Sequence, residues 1–245
     1  MLYKEPMIKP SGDRAFRVTF GDERSLRVHR PVRAMCLLLE RNPPIGVTEK
    51  VPTYASVTVM YDPSVADPLD LFDQLRRLSE MAASEAEVKS NARLLHIPVC
   101  YESDYAPDMG YICDHRKLSR EEVVRIHTAE PYYVFQLGFT PGCPFIGPLQ
   151  EALHVPLMES PRTSTPKGAV AISVGQTVIY PRATPGGMRL VGRTPVQLFQ
   201  LDHPALTLFK PGDRVRFYAI AAPEFSSMEQ QFTGLMDGVL VEDVE

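Results

Sequence analysis

The chain has 245 residues, of which 44% are hydrophobic and 23% charged, a composition typical of globular proteins with room for two domains. A formal net charge of −4 argues against a surface that attracts phosphate backbones, so we expect no nucleic-acid partner. The sequence contains no signal-peptide pattern and no run of about 18 apolar residues, so we expect a cytoplasmic protein with no membrane partner.

The first 92 residues predict a ferredoxin-like β-α-β sandwich. Apolar residues alternate as in a strand over residues 15–20 and then recur at helical spacing from Val28 to Leu39. Pro31 marks either the start of that helix or a bend in it. Two strands follow at residues 47–51 and 55–61, and Asp67 is placed to cap a second amphipathic helix.

From residue 93 the pattern changes to short strands separated by glycine and proline, which predicts a β-barrel over residues 93–223. Ser119 and Glu122 have the spacing of a capping box before a short helix. Residues 224–245 are mixed in character and predict a tail, helical or disordered. The fold class is therefore α+β. The predicted barrel strands are residues 94–101, 133–137, 169–174, 178–180, 188–193 and 214–220.

Four cysteines, Cys36, Cys100, Cys113 and Cys143, show neither a CxxC pair nor the spacing of metal ligands. We therefore expect free thiols and no metal site. The sequence also lacks the phosphate-binding loop and the catalytic motifs of common nucleotide-binding and hydrolytic enzymes.

Three loops rich in glycine and proline, residues 138–145, 161–168 and 180–187, are the strongest candidates for a binding site. Glycine lets backbone N–H groups approach a ligand, and proline holds a loop in shape before binding. The alternative is that these loops are ordinary turns at the ends of the barrel.

Arginines within or beside these loops are candidate clamps for a carboxylate or phosphate, because a charge on a barrel wall needs a partner or solvent. Ordinary ion pairs are the alternative for each of them. The candidate substrate-binding residues are Arg162, Lys167, Gln176, Tyr180, Pro185, Gly186, Gly187, Arg189, Arg193 and Thr194.

His127 is the candidate catalytic acid or base. It lies at the margin of the apolar face formed by Val123 and Ile126, and its helix leads into the strand before the first loop. A hydrogen-bonded histidine in the core is the alternative interpretation of the same spacing.

An ordered series of short motifs then resembles one family over nearly the whole chain, from about residue 10 to residue 220. The chain is similar to the family that comprises the B subunit of 5-oxoprolinase, allophanate hydrolase subunit 1 and KipI. The motifs, in chain order, are residues 12–14, 51–54, 61–63, 122–128, 138–145, 161–162, 175–177, 180–181, 184–187, 192–195 and 211–213.

The resemblance implies a ferredoxin-like domain followed by a cyclophilin-like barrel. It also implies membership in an ATP-dependent complex that hydrolyses 5-oxoproline to glutamate, with a partner like the C subunit (allophanate hydrolase subunit 2) and a third subunit. ATP is expected as a co-substrate of the complex, and no cofactor is expected to be tightly bound.

Three alternatives stay open: a KipI-like regulator that binds a sensor histidine kinase, a subunit acting on an allophanate or urea-type amide, and a peptidyl-prolyl isomerase. This chain departs from the family motifs at several positions. Residues 143–145 are Cys-Pro-Phe where the family commonly has Phe-x-Tyr, and Met188 stands where the family has Trp, so the identity of the substrate stays open.

Overall fold

The computed structural model describes residues 1–84 and 92–244, and the chain forms two compact units that divide between residues 90 and 91. The domain boundary predicted after residue 92 lies next to the residues outside this description. The elements of the first unit are β1 (Leu2–Pro10), β2 (Ala15–Gly21), α1 (Leu26–Arg41), β3 (Val47–Pro52), β4 (Ser56–Tyr61) and α2 (Pro68–Ser84).

The first unit is a four-stranded antiparallel sheet in the order β1-β2-β4-β3, with α1 and α2 packed against it. The segment from β2 to α2 has the predicted β-α-β-β-α arrangement. The neighbour of β2 on the side away from β4 is the edge strand β1. It precedes the predicted elements and was missed because its burial does not alternate cleanly. The fourth position of the sheet is therefore filled from the N-terminal side of the unit.

Local chemistry sets where both helices of this unit begin. Ser25 caps α1 by accepting a hydrogen bond from the Val28 N–H, so the helix starts five residues before Pro31 and contains that proline. Asp67 caps α2 as predicted, because its carboxylate accepts from the backbone N–H groups of Leu69 and Asp70. The apolar stripe of α1 lies in the core of the unit.

The second unit contains a closed barrel of seven strands, in the order β12 (Arg189–Arg193), β9 (Ala169–Ser173), β10 (Gln176–Ile179), β7 (Pro144–Gly147), β6 (Tyr132–Leu137), β13 (Arg214–Ile220) and β5 (Ala92–Cys100), which closes where β12 pairs with β5. Closure removes free sheet edges, which explains how so many short strands form one stable wall. The elements are β5 (Ala92–Cys100), α3 (Met109–Arg116), α4 (Arg120–Ala129), β6 (Tyr132–Leu137), β7 (Pro144–Gly147), a 3-10 helix (Glu151–Leu153), β8 (Arg162–Thr165), β9 (Ala169–Ser173), β10 (Gln176–Ile179), β11 (Thr184–Gly186), β12 (Arg189–Arg193), β13 (Arg214–Ile220), α5 (Ala222–Gln231) and β14 (Leu240–Val244).

Residues 224–244, which the sequence predicts as a tail, form most of α5 and all of β14 and lie within the second unit. β14 pairs with β5 from Ala92 to His96, and β12 pairs with the same strand at Cys100. Pro98, which has no N–H group to donate, lies between these two pairings. Pro98 therefore lies in the gap between β14 and β12, where β5 has no pairing partner on that side among the described strands.

The helix α4 begins at the predicted capping box. The Ser119 hydroxyl accepts from the Glu122 N–H, and the Glu122 carboxylate accepts from the Ser119 N–H.

Across residues 1–84 and 92–244, no helix is long and apolar enough to cross a membrane.

Candidate binding pocket

A pocket of about 520 Å³ lies beside β7 and β10, on the face of the barrel wall opposite the main core. Strand alternation creates these two faces: Thr177 and Ile179 of β10 point into the barrel, whereas Val178 and Tyr180 point toward the pocket. The pocket is lined by Phe139, Thr140, Cys143, Phe145, Pro161, Val178, Tyr180, Arg182, Thr184, Pro185, Gly186, Gly187 and Met188.

Arg182 carries the single formal charge among these lining residues. Its side chain is exposed and makes no hydrogen bond or ion pair with any residue that the structure describes. A guanidinium that is not already committed to a carboxylate is available to pair with an anionic group of a ligand. The pocket therefore combines apolar walls with one available positive charge.

Phe139 and Thr140 form a strained turn at the pocket. Phe139 has a φ of +67°, and the Thr140 N–H donates to the Gly138 carbonyl two residues back at 2.8 Å. A bulky residue in this conformation is uncommon and costs roughly 1–2 kcal/mol. The Phe139 ring is 67% exposed and meets the Tyr180 ring edge-on, with 6.3 Å between centroids.

The Thr140 side chain is buried, and its hydroxyl oxygen has no hydrogen-bond partner in the described part of the chain. Buried hydroxyl groups are nearly always hydrogen-bonded, because an unmade bond in a dry site costs roughly 1–3 kcal/mol. An unpartnered hydroxyl in a residue that lines a pocket therefore needs an explanation.

The cysteine and the tyrosine of the pocket wall are held in their neutral forms. Burial raises the pKa of the Cys143 thiol to about 12, so the thiolate that would be needed for nucleophilic attack is absent at neutral pH. Burial also raises the pKa of the Tyr180 hydroxyl above its ordinary value. Neither group can act as a base at neutral pH, so this wall is suited to binding.

Four of the residues predicted to bind substrate line this pocket, namely Tyr180, Pro185, Gly186 and Gly187. The hydrogen of Gly186 faces the Tyr180 ring so closely that a Cβ atom there would lie 2.6 Å from the hydroxyl oxygen. Glycine at position 186 thus lets the Tyr180 ring pack against the backbone of β11.

Arg162 pairs within the protein. One of its terminal nitrogens donates to Asp108 Oδ1 at 2.6 Å, and the other contacts the Met158 sulfur. Asp108 is buried and also accepts from the Leu190 N–H at 2.6 Å, so the pair ties β8 and β12 to the start of α3. The structure therefore gives Arg162 the alternative role, that of an internal ion pair.

The other predicted cations also contact protein groups outside the pocket. The Arg189 guanidinium stacks on the Tyr111 ring of α3, with 3.6 Å between its central carbon and the ring centroid. Arg193 pairs with Glu229 of α5 at 2.7 Å and donates to the Lys167 carbonyl, and the Lys167 ammonium hydrogen-bonds Gln197. These contacts join strands and helices of the second unit to one another.

Thr194 and Gln176 also lie outside the pocket lining. The buried Thr194 hydroxyl accepts from the Val196 N–H at 3.3 Å, which gives it a structural partner in the loop after β12. Gln176 is partly buried at the start of β10 and pairs in register with Ser173.

His127 lies inside the barrel with no exposed surface. Its Nδ1 atom is 2.8 Å from the Tyr101 hydroxyl, its Nε2 atom is 3.4 Å from the Thr177 hydroxyl, and its ring stacks on Phe217. Burial lowers its pKa to about 3, so the ring is neutral near pH 7. The geometry is that of a hydrogen-bonded core histidine, separated from the pocket by the barrel wall.

Phe139, Thr140 and Arg182 are among the lining residues that sequence reasoning missed as individuals. All three lie in loops that the glycine and proline content singled out, so the sequence indicated the loops but not the individual residues.

In the described part of the chain, no group of three His, Cys, Asp or Glu side chains is arranged to hold a metal ion, and the four cysteines are free thiols.

The fold and the pocket define a class: a ferredoxin-like unit followed by a closed barrel that carries a ligand-sized pocket on its outer wall. The family model for the carboxyltransferase domain, subdomain C and D, matches residues 6–209. The chain belongs to this family, and its predicted resemblance to the family of the 5-oxoprolinase B subunit, allophanate hydrolase subunit 1 and KipI is confirmed.

Curated relatives cover most of the chain. It is 35% identical over 235 residues to the B subunit of 5-oxoprolinase from Bacillus subtilis, which covers 91% of this chain and 97% of that protein. It is 39% identical over 172 residues to the B subunit of 5-oxoprolinase from Escherichia coli O157:H7, which covers 70% of this chain and 78% of that one.

The crystal structure of the protein TTHA0988 has the same fold, with a TM-score of 0.75 and 33% identity over 89% of this chain. The predicted α+β fold with a barrel is confirmed by this similarity. The present chain corresponds to 41% of the TTHA0988 chain, so it spans about two fifths of that longer protein.

Proposed function

We propose that this chain is the B subunit of a heteromeric 5-oxoprolinase that opens the lactam ring of 5-oxoproline to give glutamate, with ATP as co-substrate. The proposal is supported by identity of 35–39% to the B subunits of two bacterial 5-oxoprolinases. A protein like the C subunit and a third subunit are the partners that this assignment implies.

The observation that carries the proposal is the chemistry of the pocket. Its lining offers one guanidinium, hydroxyl groups and apolar walls, but it contains no carboxylate, imidazole or amine. Opening a lactam requires proton transfers, for which a side chain must be titratable near the working pH. The pocket is therefore suited to hold the substrate, and under this proposal the reacting groups lie outside the pocket lining.

Within the complex, we assign positioning and water exclusion to this chain. Arg182 pairs with the substrate carboxylate, which fixes one end of the ring. Phe139, Tyr180 and Met188 supply apolar surface for the ring atoms. His127 belongs to the barrel core under this proposal, and no proton transfer is assigned to it.

The test is reconstitution. The chain is co-expressed with proteins of its native host that resemble the C subunit and the third subunit, and glutamate release from 5-oxoproline is measured with and without ATP. We expect release only from the assembled complex and only with ATP. An assembled complex that leaves 5-oxoproline intact would count against the proposal.

A tagged pull-down from the native host tests the regulatory alternative at the same time. Recovery of a protein like the C subunit, with glutamate release by the eluate, supports the role in the enzyme. Recovery of a histidine kinase whose autophosphorylation the chain inhibits, without turnover of 5-oxoproline, would replace it with the KipI-like role.

A further inference from the structure

We propose that Phe139, Thr140 and Arg182 together form the recognition element of the pocket, and that its ligand is a small cyclic amide bearing one carboxylate. This inference rests on the proposed function for the choice of 5-oxoproline as the ligand to be tested. It goes further in assigning each part of the ligand to a residue.

Unfavourable features accumulate at two consecutive residues of the pocket wall. Phe139 holds a positive φ and exposes most of its ring, and Thr140 buries a hydroxyl without a partner among the described residues. Features of this kind persist where the surrounding structure holds them in place, and they concentrate at sites of function. A ligand that covers the Phe139 ring and hydrogen-bonds the Thr140 hydroxyl would remove both the exposure of the ring and the missing hydrogen bond.

Thr140 is the residue that hydrogen-bonds the amide group of the ligand. Its hydroxyl can donate to a carbonyl oxygen or accept from an N–H group, and a lactam offers both. Rotation about χ1 interchanges the methyl group and the hydroxyl, so this small side chain can present the hydroxyl to a ligand without movement of the backbone. The bond replaces a missing interaction, and therefore nothing is broken to make it.

Phe139 is the group that covers the ring. Its side chain stands at the pocket beside the Tyr180 ring, and its backbone hydrogen bond from Thr140 to Gly138 links its position to that of the hydroxyl. An exposed aromatic ring next to a pocket gains contact area when the ring carbons of a ligand pack against it.

Arg182 sets the charge that the pocket accepts. A single guanidinium matches one carboxylate through a bidentate pair, whereas a triphosphate requires several cations or a loop of backbone N–H groups with a metal ion. The pocket therefore selects a monoanion, and we infer that the nucleotide binds at another site of the complex.

Binding of 5-oxoproline to the full chain, measured by calorimetry or ligand-observed NMR, tests the assignment. We expect Thr140→Val to weaken binding about tenfold while the melting temperature stays equal to or above that of wild type. Thr140→Ser keeps the hydroxyl and should keep the affinity. Arg182→Gln should also weaken binding at least about tenfold, and ATP should not compete with 5-oxoproline.

Two matched controls lie outside the pocket. Thr194→Val removes a hydroxyl that already has a partner, so it should lower the melting temperature and leave binding unchanged. Arg125→Gln makes the same change of charge as Arg182→Gln at an exposed position on α4 and should leave binding unchanged.

The outcomes separate this inference from the proposed function. If the assembled complex releases glutamate but Thr140→Val and Arg182→Gln leave its KM and the binding of the chain unchanged, the recognition element is wrong and the function stands. If the chain binds 5-oxoproline with the expected pattern but no assembled complex turns it over, the inference stands and the function is wrong. Failure of the wild-type chain and of the complex to bind any small cyclic carboxylate overturns the inference.

Discussion

The ion pair between Arg162 and Asp108 provides a strong test of whether Arg162 serves the ligand or the fold. The change is Arg162→Met, which keeps most of the length of the side chain and removes the charge. The Asp108 carboxylate, whose side chain is 8% exposed, would then keep the Leu190 N–H but lose its partner cation.

The expected loss of stability follows from the burial of the two partners. Breaking a fully buried ion pair costs about 3–5 kcal/mol, whereas an exposed pair contributes about 0.2–1 kcal/mol. The Arg162 side chain is 25% exposed, which places this pair between those limits. We therefore expect Arg162→Met to lower the free energy of unfolding of the second unit by about 2–3 kcal/mol.

The assay must report on the second unit separately, because the chain has two compact units. Hydrogen exchange of the Leu190 amide serves this purpose, since that N–H donates directly to Asp108. The double variant Arg162→Met with Asp108→Asn removes the unpaired charge, so its cost should be smaller than the sum of the two single costs.

The matched control is Arg125→Met, at an exposed position on α4. It should change the unfolding free energy by less than about 0.5 kcal/mol. If Arg162→Met behaves like this control, shows no coupling to Asp108 and instead abolishes turnover by the complex, the structural assignment is refuted. The role of a ligand clamp, which the sequence also allowed, would then hold.

Three further predictions concern the core, the pocket and α5. Burial lowers the His127 pKa to about 3, whereas the histidine of the unfolded chain titrates near its usual value of about 6.5. The stability that the neutral, buried His127 ring contributes is therefore fully present above about pH 6.5. That contribution is lost as the pH falls toward 3, by at most about 1.4 kcal/mol per pH unit, and urea unfolding of His127→Gln from pH 7 to 4 should show a shallower loss than wild type. Gly186→Ala should weaken binding of 5-oxoproline because its Cβ would displace the Tyr180 hydroxyl, whereas Gly187→Ala, with 3.5 Å to its nearest neighbour, should be tolerated; equal affinities in calorimetry would contradict this. Arg193→Ala should speed amide exchange in α5 and cost about 1 kcal/mol, because the helix loses its pair with Glu229, and unchanged exchange would count against that contact.

Features that depend on near neighbours could be predicted from the sequence alone. The capped starts of α2 and α4, the apolar stripe of α1 and most of the barrel strands follow from residues within one or two turns of one another. The three loops rich in glycine and proline also stood out, and two of them supply most of the pocket wall. Ordered motifs along the chain predicted the family, which the similarity to known proteins confirms.

Contacts between distant residues decided the rest. Arg162 pairs with Asp108, 54 positions away, and no local pattern identifies which carboxylate a given arginine meets. β1 and β14 were missed because each is defined by pairing with a neighbouring strand rather than by its own periodicity. Barrel closure then put His127 inside the wall and Tyr180 outside it, although both belong to segments that the sequence brought toward one site. Local patterns could identify the strands and the loops, but closure of the barrel decided which side chains face the pocket, because it assigns alternate residues of each strand to opposite sides.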